Sequence, residues 1–181
     1  SMCGSYNKAV GMDEGIKAKW SEVENQYQRR MDLIDQTVST VKAAANYERK
    51  TLEAVIQARA SATQVKIDAN NLTPENIQRF EQAQNNLYGA MKSLLAVSEA
   101  YPELKANQNF VNLQTQIEGT ENRIAVARNR YIKSVEEYNV LARSLPTNLT
   151  AMVMGYKPKE NFAVANEAQI AAPPKVDFGT K

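Results

Sequence analysis

From Ile16 to Leu72 the chain contains neither glycine nor proline. Its apolar residues there fall at Ile16, Trp20, Val23, Tyr27, Met31, Ile34, Val38, Val41, Ala45, Leu52 and Val55. The steps are threes and fours, close to the average of about 3.5 of a coiled-coil seam. Asp13 is the expected N-cap, because a short side-chain oxygen accepts from the first free backbone N–H groups. Thr73 is the expected cap of a second helix, with Pro74 at its first position, where a missing N–H costs nothing. Its seam is Ile77, Phe80, Leu87, Met91, Leu94 and Leu95, and Pro102 is expected to stop it, since the residue before a proline resists the helical region. A third helix is predicted from about Asn107 to Leu145 along Phe110, Leu113, Ile117, Ile124, Tyr131, Val135, Tyr138 and Leu141, ended by Pro146. A short amphipathic piece, Leu149 to Met154, follows, and the Ala- and Pro-rich end reads as extended. No strand-like alternation of any length is present.

Helix lengths then constrain the fold. At a rise of about 1.5 Å per residue, one helix from 13 to 69 would be roughly 84 Å long, the second roughly 40 Å and the third roughly 58 Å. Run unbroken, the first would leave Trp20, Val23, Tyr27 and Ile34 without cover. A break near Ala43–Tyr47 instead gives four comparable helices able to close an up-and-down bundle. That segment holds no glycine or proline, only one asparagine, yet the broken version is the favoured reading. The expectation is an all-α fold: an elongated antiparallel bundle of three to four long helices spanning 13–156, preceded by an N-terminal tether over 1–12. A short C-terminal helix and an extended tail over 157–181 complete it.

Composition narrows the chemistry. The 181 residues suit one domain, and a charged fraction of 23% with net charge +2, both signs interspersed, argues against a nucleic-acid footprint. There is no histidine, which excludes a Ser-His-Asp triad, a Cys-His dyad and every His-based metal site. Cys3 is the single cysteine, so no intrachain disulfide can form. No apolar run reaches the roughly 20 residues that span a bilayer. Glu118, Glu121, Glu136 and Glu137 lack the Glu-x-x-His spacing of di-iron bundles and read as solvent-facing or paired carboxylates. Trp20, Tyr27, Tyr88, Phe110, Tyr131 and Tyr138 lie on the seams and read as core. Arg30, Glu121 and Arg128 fall on or beside otherwise apolar seams. A buried charge without its opposite is very costly, so they are candidates for a structural ion pair between helices.

Ser1-Met2 reads as an expression remnant. Cys3, immediately after it and ahead of a polar domain, is expected to be a lipidation site, its thiol carrying diacylglycerol through a thioether.

Several runs resemble the LemA family. Trp20-Ser21-Glu22-Val23-Glu24-Asn25-Gln26, Arg29-Arg30 and Asp32-Leu33-Ile34 are similar to its first helix. Glu99-Ala100-Tyr101-Pro102-Glu103-Leu104-Lys105-Ala106-Asn107 is similar to its central turn. Thr120-Glu121-Asn122-Arg123-Ile124-Ala125-Val126-Ala127-Arg128 and Tyr138-Asn139 are similar to its last long helix, Lys175-Val176-Asp177-Phe178 to its ending, and Tyr6-Asn7 fits its start. Asp35 stands where that pattern has proline and Ile132 where it has asparagine. The resemblance implies a bacterial helical protein held at a membrane by an N-terminal segment, and it carries over no catalytic residue. The expected function is a non-catalytic scaffold or interaction domain of the cell envelope: no cofactor, no metal, no nucleic acid, a monomer reaching the membrane through Cys3, with its protein partner unnamed. The alternative is a sensor that binds a small ligand or peptide in a groove between helices. A pocket of several hundred cubic ångström lined by the seam aromatics would mark it.

Overall fold

The computed structural model describes residues 2–44, 46–144, 159, 161 and 162. They form α1 (Met2–Ala44), α2 (Arg49–Gln64), α3 (Pro74–Ser98), the one-turn α4 (Pro102–Lys105) and α5 (Gln108–Ser144). The long helical stretch does break where expected, with Asn46, Tyr47 and Glu48 outside any helix. With neither glycine nor proline at the turn, a tertiary anchor holds it. The Tyr47 hydroxyl donates to the Leu94 carbonyl at 2.5 Å, and its ring lies 4.6 Å from that of Tyr101.

The four long helices run up, down, up, down. Trp20 lies against Tyr131, and Arg30 against Glu121, so α1 and α5 are antiparallel. Asp35 pairs with Arg59 at 3.1 Å while the Trp20 indole reaches the Ile67 carbonyl, which sets α2 and the connection after it antiparallel to α1. The bundle therefore has two ends. One carries the start of α1, the α2–α3 connection and the end of α5; the other carries the turn at 46–48 and α4.

Local chemistry accounts for the boundaries. Thr73 caps α3, its hydroxyl accepting from the Asn76 N–H at 3.2 Å, and Pro74 opens the helix. Asn107 caps α5 by accepting from the Phe110 N–H at 3.0 Å. Two expectations need correction. Pro102 does not stop α3, which already ends at Ser98; it opens α4, behind an extended Tyr101 (φ −114°, ψ 95°), and fits because the first helical position has no hydrogen bond to lose. Asp13 is no cap either, since α1 begins at Met2 and residues 2–12, expected as a tether, are helical. Within them Ala9 is only 2% exposed. Asp13 instead pairs along the helix with Lys17 at 3.6 Å. The segment 149–154 and the ending 175–178 lie outside the described residues.

The core has two apolar halves. Toward the turn end, Ile34, Val41, Val55, Leu94, Leu104 and Ile117 pack together. Toward the α1 start, Ile16, Trp20, Val23, Phe80, Tyr131 and Val135 form the second half. Burial of these faces stabilises at about 25 cal/mol per Å².

Candidate functional site

Between the two halves α1, α3 and α5 each present charged or amide side chains to the interior. Arg30 is 3% exposed and Glu121 1%. The Arg30 guanidinium donates through Nη1 to both Glu121 oxygens, at 2.9 and 3.2 Å. Through Nη2 it donates to the Gln84 carbonyl and to Gln84 Oε1, each at 3.1 Å. The rings of Tyr27 and Tyr88 lie 4.9 and 5.3 Å from its Cζ. The amide nitrogen of Gln84 meets the Met31 sulfur at 3.8 Å. One turn nearer the α1 start, Arg128 donates to Glu81 at 2.7 Å and to the Tyr27 hydroxyl at 3.1 Å. The layer holds two cations and two carboxylates, so it is neutral.

The three residues singled out in the sequence thus all lie in this layer, but in two pairs. Arg30 and Glu121 are brought together across α1 and α5. Arg128, seven residues from Glu121 on the same helix, goes to Glu81 on α3. Glu81 and Gln84 escaped the sequence reading, although a signal for Gln84 was present: the apolar seam of α3 jumps from Phe80 to Leu87, and Gln84 fills that gap at seam spacing.

Such a layer aligns helices rather than performing chemistry. Both carboxylates are taken up by guanidinium groups through charge-assisted hydrogen bonds, and Arg30, with Nη1 on Glu121 of α5 and Nη2 on Gln84 of α3, ties α1 to both helices. A buried pair of this kind adds little net stability because desolvation offsets the attraction, but a slipped register would strand charges in hydrocarbon.

Burial pushes the hydroxyls of Tyr27, Tyr47 and Tyr88 above the ordinary tyrosine value of 10.0. The folded state therefore retains protons that the unfolded chain releases. This contribution is full below pH 10 and is lost as pH rises through the folded values. Denaturant midpoints are expected to fall on going above about pH 10, in step with delayed phenolate absorbance relative to the unfolded chain. A midpoint that stays flat there would show these hydroxyls to be solvated.

The remaining seam aromatics pack as expected: Trp20, Tyr27, Phe110, Tyr131 and Tyr138 are buried and Tyr88 is half-buried. Two open surface grooves of about 570 and 580 Å³ are present, one between α2 and α3 with Glu53, Gln57 and Arg79, the other between α1 and α5 with Gln36, Asn112 and Gln116. Their size meets the expectation for a sensor, but neither is lined by a seam aromatic. Among the described residues no group of three or more acidic, cysteine or histidine side chains is placed to hold a metal. Nor is any helix there long and apolar enough to cross a membrane.

Cys3 is exposed on the first turn of α1. Near the same end, the described part of the segment read as an extended tail docks on the body. Phe162 is 4% exposed and packs on Trp20 and Tyr131.

A family model for the LemA family matches residues 19–178, nearly the whole bundle and the segment beyond it. The chain belongs to the LemA family. Among curated relatives it is similar to the magnetosome proteins MamQ 1 and MamQ 2 of Paramagnetospirillum magneticum, each 25% identical over 174 residues. It is also similar to MamQ of Magnetospirillum gryphiswaldense, 25% identical over 176 residues. Each alignment covers 87% of this chain and 64% of the relative, so the chain spans less than two thirds of the curated relatives it matches. In this LemA-family chain the runs quoted for the first and last long helices fall on α1 and α5 and contain Arg30, Glu121 and Arg128. Asp35 does not interrupt α1, and its carboxylate meets Arg59 at 3.1 Å.

Proposed function

We propose that this LemA-family bundle is a non-catalytic scaffold or interaction domain of the bacterial cell envelope, fixed to a membrane at Cys3. The observation that supports it most is the continuity of α1. The helix that carries Cys3 on its first turn is the same helix that carries Trp20 and Arg30 into the core. A lipid on that thiol would be joined to the bundle without a slack linker, and the turn end, with Tyr47 and α4, would be held away from the bilayer. The closed core favours interaction through the outer faces over chemistry in an interior cavity. The relatives' names associate those proteins with the magnetosome; what supports a shared role here is family membership and the helical domain, not a common compartment.

The test is fractionation of the full precursor in a bacterial host. The protein is expected in the detergent phase, and Cys3→Ala is expected to move it to the aqueous phase or trap the precursor. A multiply acylated cysteine holds durably, whereas one chain binds only marginally, so the shift should be nearly complete. A Cys3→Ala protein that is processed and partitions like wild type would overturn the reading. Purified protein is expected to sediment as a monomer, because Trp20 and Ile34 are both 0% exposed within one chain.

A further inference from the structure

Phe162 sits in a pocket whose walls belong to other parts of the molecule. Its ring centroid is 6.0 Å from that of Trp20 on α1 and 5.6 Å from that of Tyr131 on α5. The Arg128 guanidinium lies 4.4 Å from the ring centre, held in place by Glu81 and Tyr27. Ahead of the ring, Asn139 pairs with both backbone groups of one residue, as a neighbouring strand would. Its Oδ1 accepts from the Lys159 N–H at 2.6 Å and its Nδ2 donates to the Lys159 carbonyl at 3.1 Å. The Lys159 ammonium lies 2.6 Å from Asp13, and the Asn161 amide donates to the Ile132 carbonyl at 3.3 Å.

This is the arrangement of a peptide in a recognition groove: one aromatic anchor in a preformed slot, one backbone clamp three residues before it, and one charge contact. We infer that α1 and α5 form a recognition site for an extended, aromatic-bearing peptide segment, occupied in cis by Lys159, Asn161 and Phe162 and open to a partner's segment of the same chemistry when the cis segment lets go. The inference deepens the interaction-domain reading by naming its surface.

Two observations make the cis segment separable. First, the slot is built without it: Trp20 is also fixed by its indole N–H donating to the Ile67 carbonyl at 3.4 Å and by Phe80 at 5.5 Å between centroids. Second, among the described residues Lys159 and Asn161 are held by hydrogen bonds and an ion pair at the rim, Lys159 35% and Asp13 23% exposed, with the Lys159 ammonium also 5.3 Å from the Tyr138 ring, and ion pairs at that exposure exchange readily for water. Opening of a few rim contacts and one ring is a local event, far short of unfolding. While closed, the tethered segment competes at the high effective concentration of an intramolecular ligand. The Asp13 carboxyl responds to opposed influences: burial raises its pKa, and the Lys159 and Lys17 ammonium groups bring it below the ordinary 3.8.

Trp20 is the single tryptophan, so its emission reports on the slot directly. In the full chain, Phe162→Ala is expected to shift that emission to the red and to raise quenching by acrylamide several-fold, with helical circular dichroism retained. A synthetic peptide of residues 157–164 should then bind this variant saturably and reverse the shift. It should bind wild type at least tenfold more weakly, and the same peptide with alanine for Phe162 should not bind. Asn139→Ala, which removes the clamp without opening a cavity, serves if the Phe162 change unfolds the bundle. It should raise quenching while leaving the helical melt near that of wild type. The inference fails if Trp20 remains shielded in both variants, if quenching rises only as the helices melt, or if the peptide does not restore shielding to a folded Phe162→Ala protein. None of these outcomes depends on membrane attachment, so failure here leaves the Cys3 fractionation result standing, and the reverse holds.

Discussion

Glu121→Ala is expected to destabilise the bundle by about 3–5 kcal/mol, the cost of leaving a buried cation without its partner. At roughly 2–4 °C per kcal/mol for a chain of this size, the thermal midpoint should fall by on the order of 10 °C. The magnitude follows from burial. Arg30 is 3% exposed and Glu121 1%, so the guanidinium cannot turn to solvent without unpacking α1 from α5. Its other acceptors, the carbonyl and amide oxygens of Gln84, are neutral and do not replace a carboxylate. The desolvation argument also predicts an asymmetry. Arg30→Met combined with Glu121→Leu should recover most of the loss, because apolar groups of similar volume carry no stranded charge. The exposed pair Arg49–Glu53, at 2.7 Å but with side chains 89% and 60% exposed, is the control, and breaking it should leave the midpoint close to that of wild type, because solvent screens such a pair. Equilibrium denaturation of the four proteins checks this. A Glu121→Ala change no worse than the Arg49 control would mean the layer is hydrated.

The polar layer also marks where sequence reading succeeds and where it stops. Periodicity located the three seams, and the helix-length mismatch called for a break near 43–47, which the structure places at 46–48, because both rest on local pattern and on the need to cover Trp20 and Ile34. Thr73 and Asn107 mark helix starts by local chemistry alone. Pairing is different in kind. Glu121 and Arg128 share a face, which the seven-residue spacing shows, but the helix facing each of them is a property of bundle order. Arg128 therefore found Glu81 on α3, a residue the apolar seam list stepped over. Asp13 has the composition of a cap and the position of a mid-helix residue; the helix passes through it because Ala9 and Ile16, on the same face, are buried. The docking of Phe162 was invisible in the sequence, since one aromatic in a polar segment carries no period.

Trp20→Ala is expected to be the other severe change, costing about 3–5 kcal/mol, in the upper range for removing a buried aromatic. Trp20 is 0% exposed and is a point where every part of the α1-start half meets. It lies 5.5 Å from Phe80 on α3 and 5.2 Å from Tyr131 on α5 between ring centroids. Its indole N–H reaches the Ile67 carbonyl in the α2–α3 connection at 3.4 Å, and Phe162 covers its remaining side. Helix backbones spaced by an indole cannot close over a methyl group, so a cavity remains, and the cost exceeds the transfer of the lost ring from water. Trp20→Phe keeps much of the volume and should cost less than half as much; it gives up the hydrogen bond to Ile67 and part of the contact with Tyr131. A buried site is what separates this from a surface change: Val140→Ala, at a position 67% exposed, should stay within about 0.5 kcal/mol of wild type. Because Trp20 lies on the other side of the ionic layer from Leu94 and Leu104, amide exchange should rise first around Ile16, Ile67 and Val135 and later near the turn end. Denaturant midpoints ordered Trp20→Ala, Trp20→Phe, Val140→Ala from lowest to highest, with exchange spreading in that direction, are the expected result. Uniform loss of protection along all four helices would show the two halves to be one cooperative unit despite the polar layer between them.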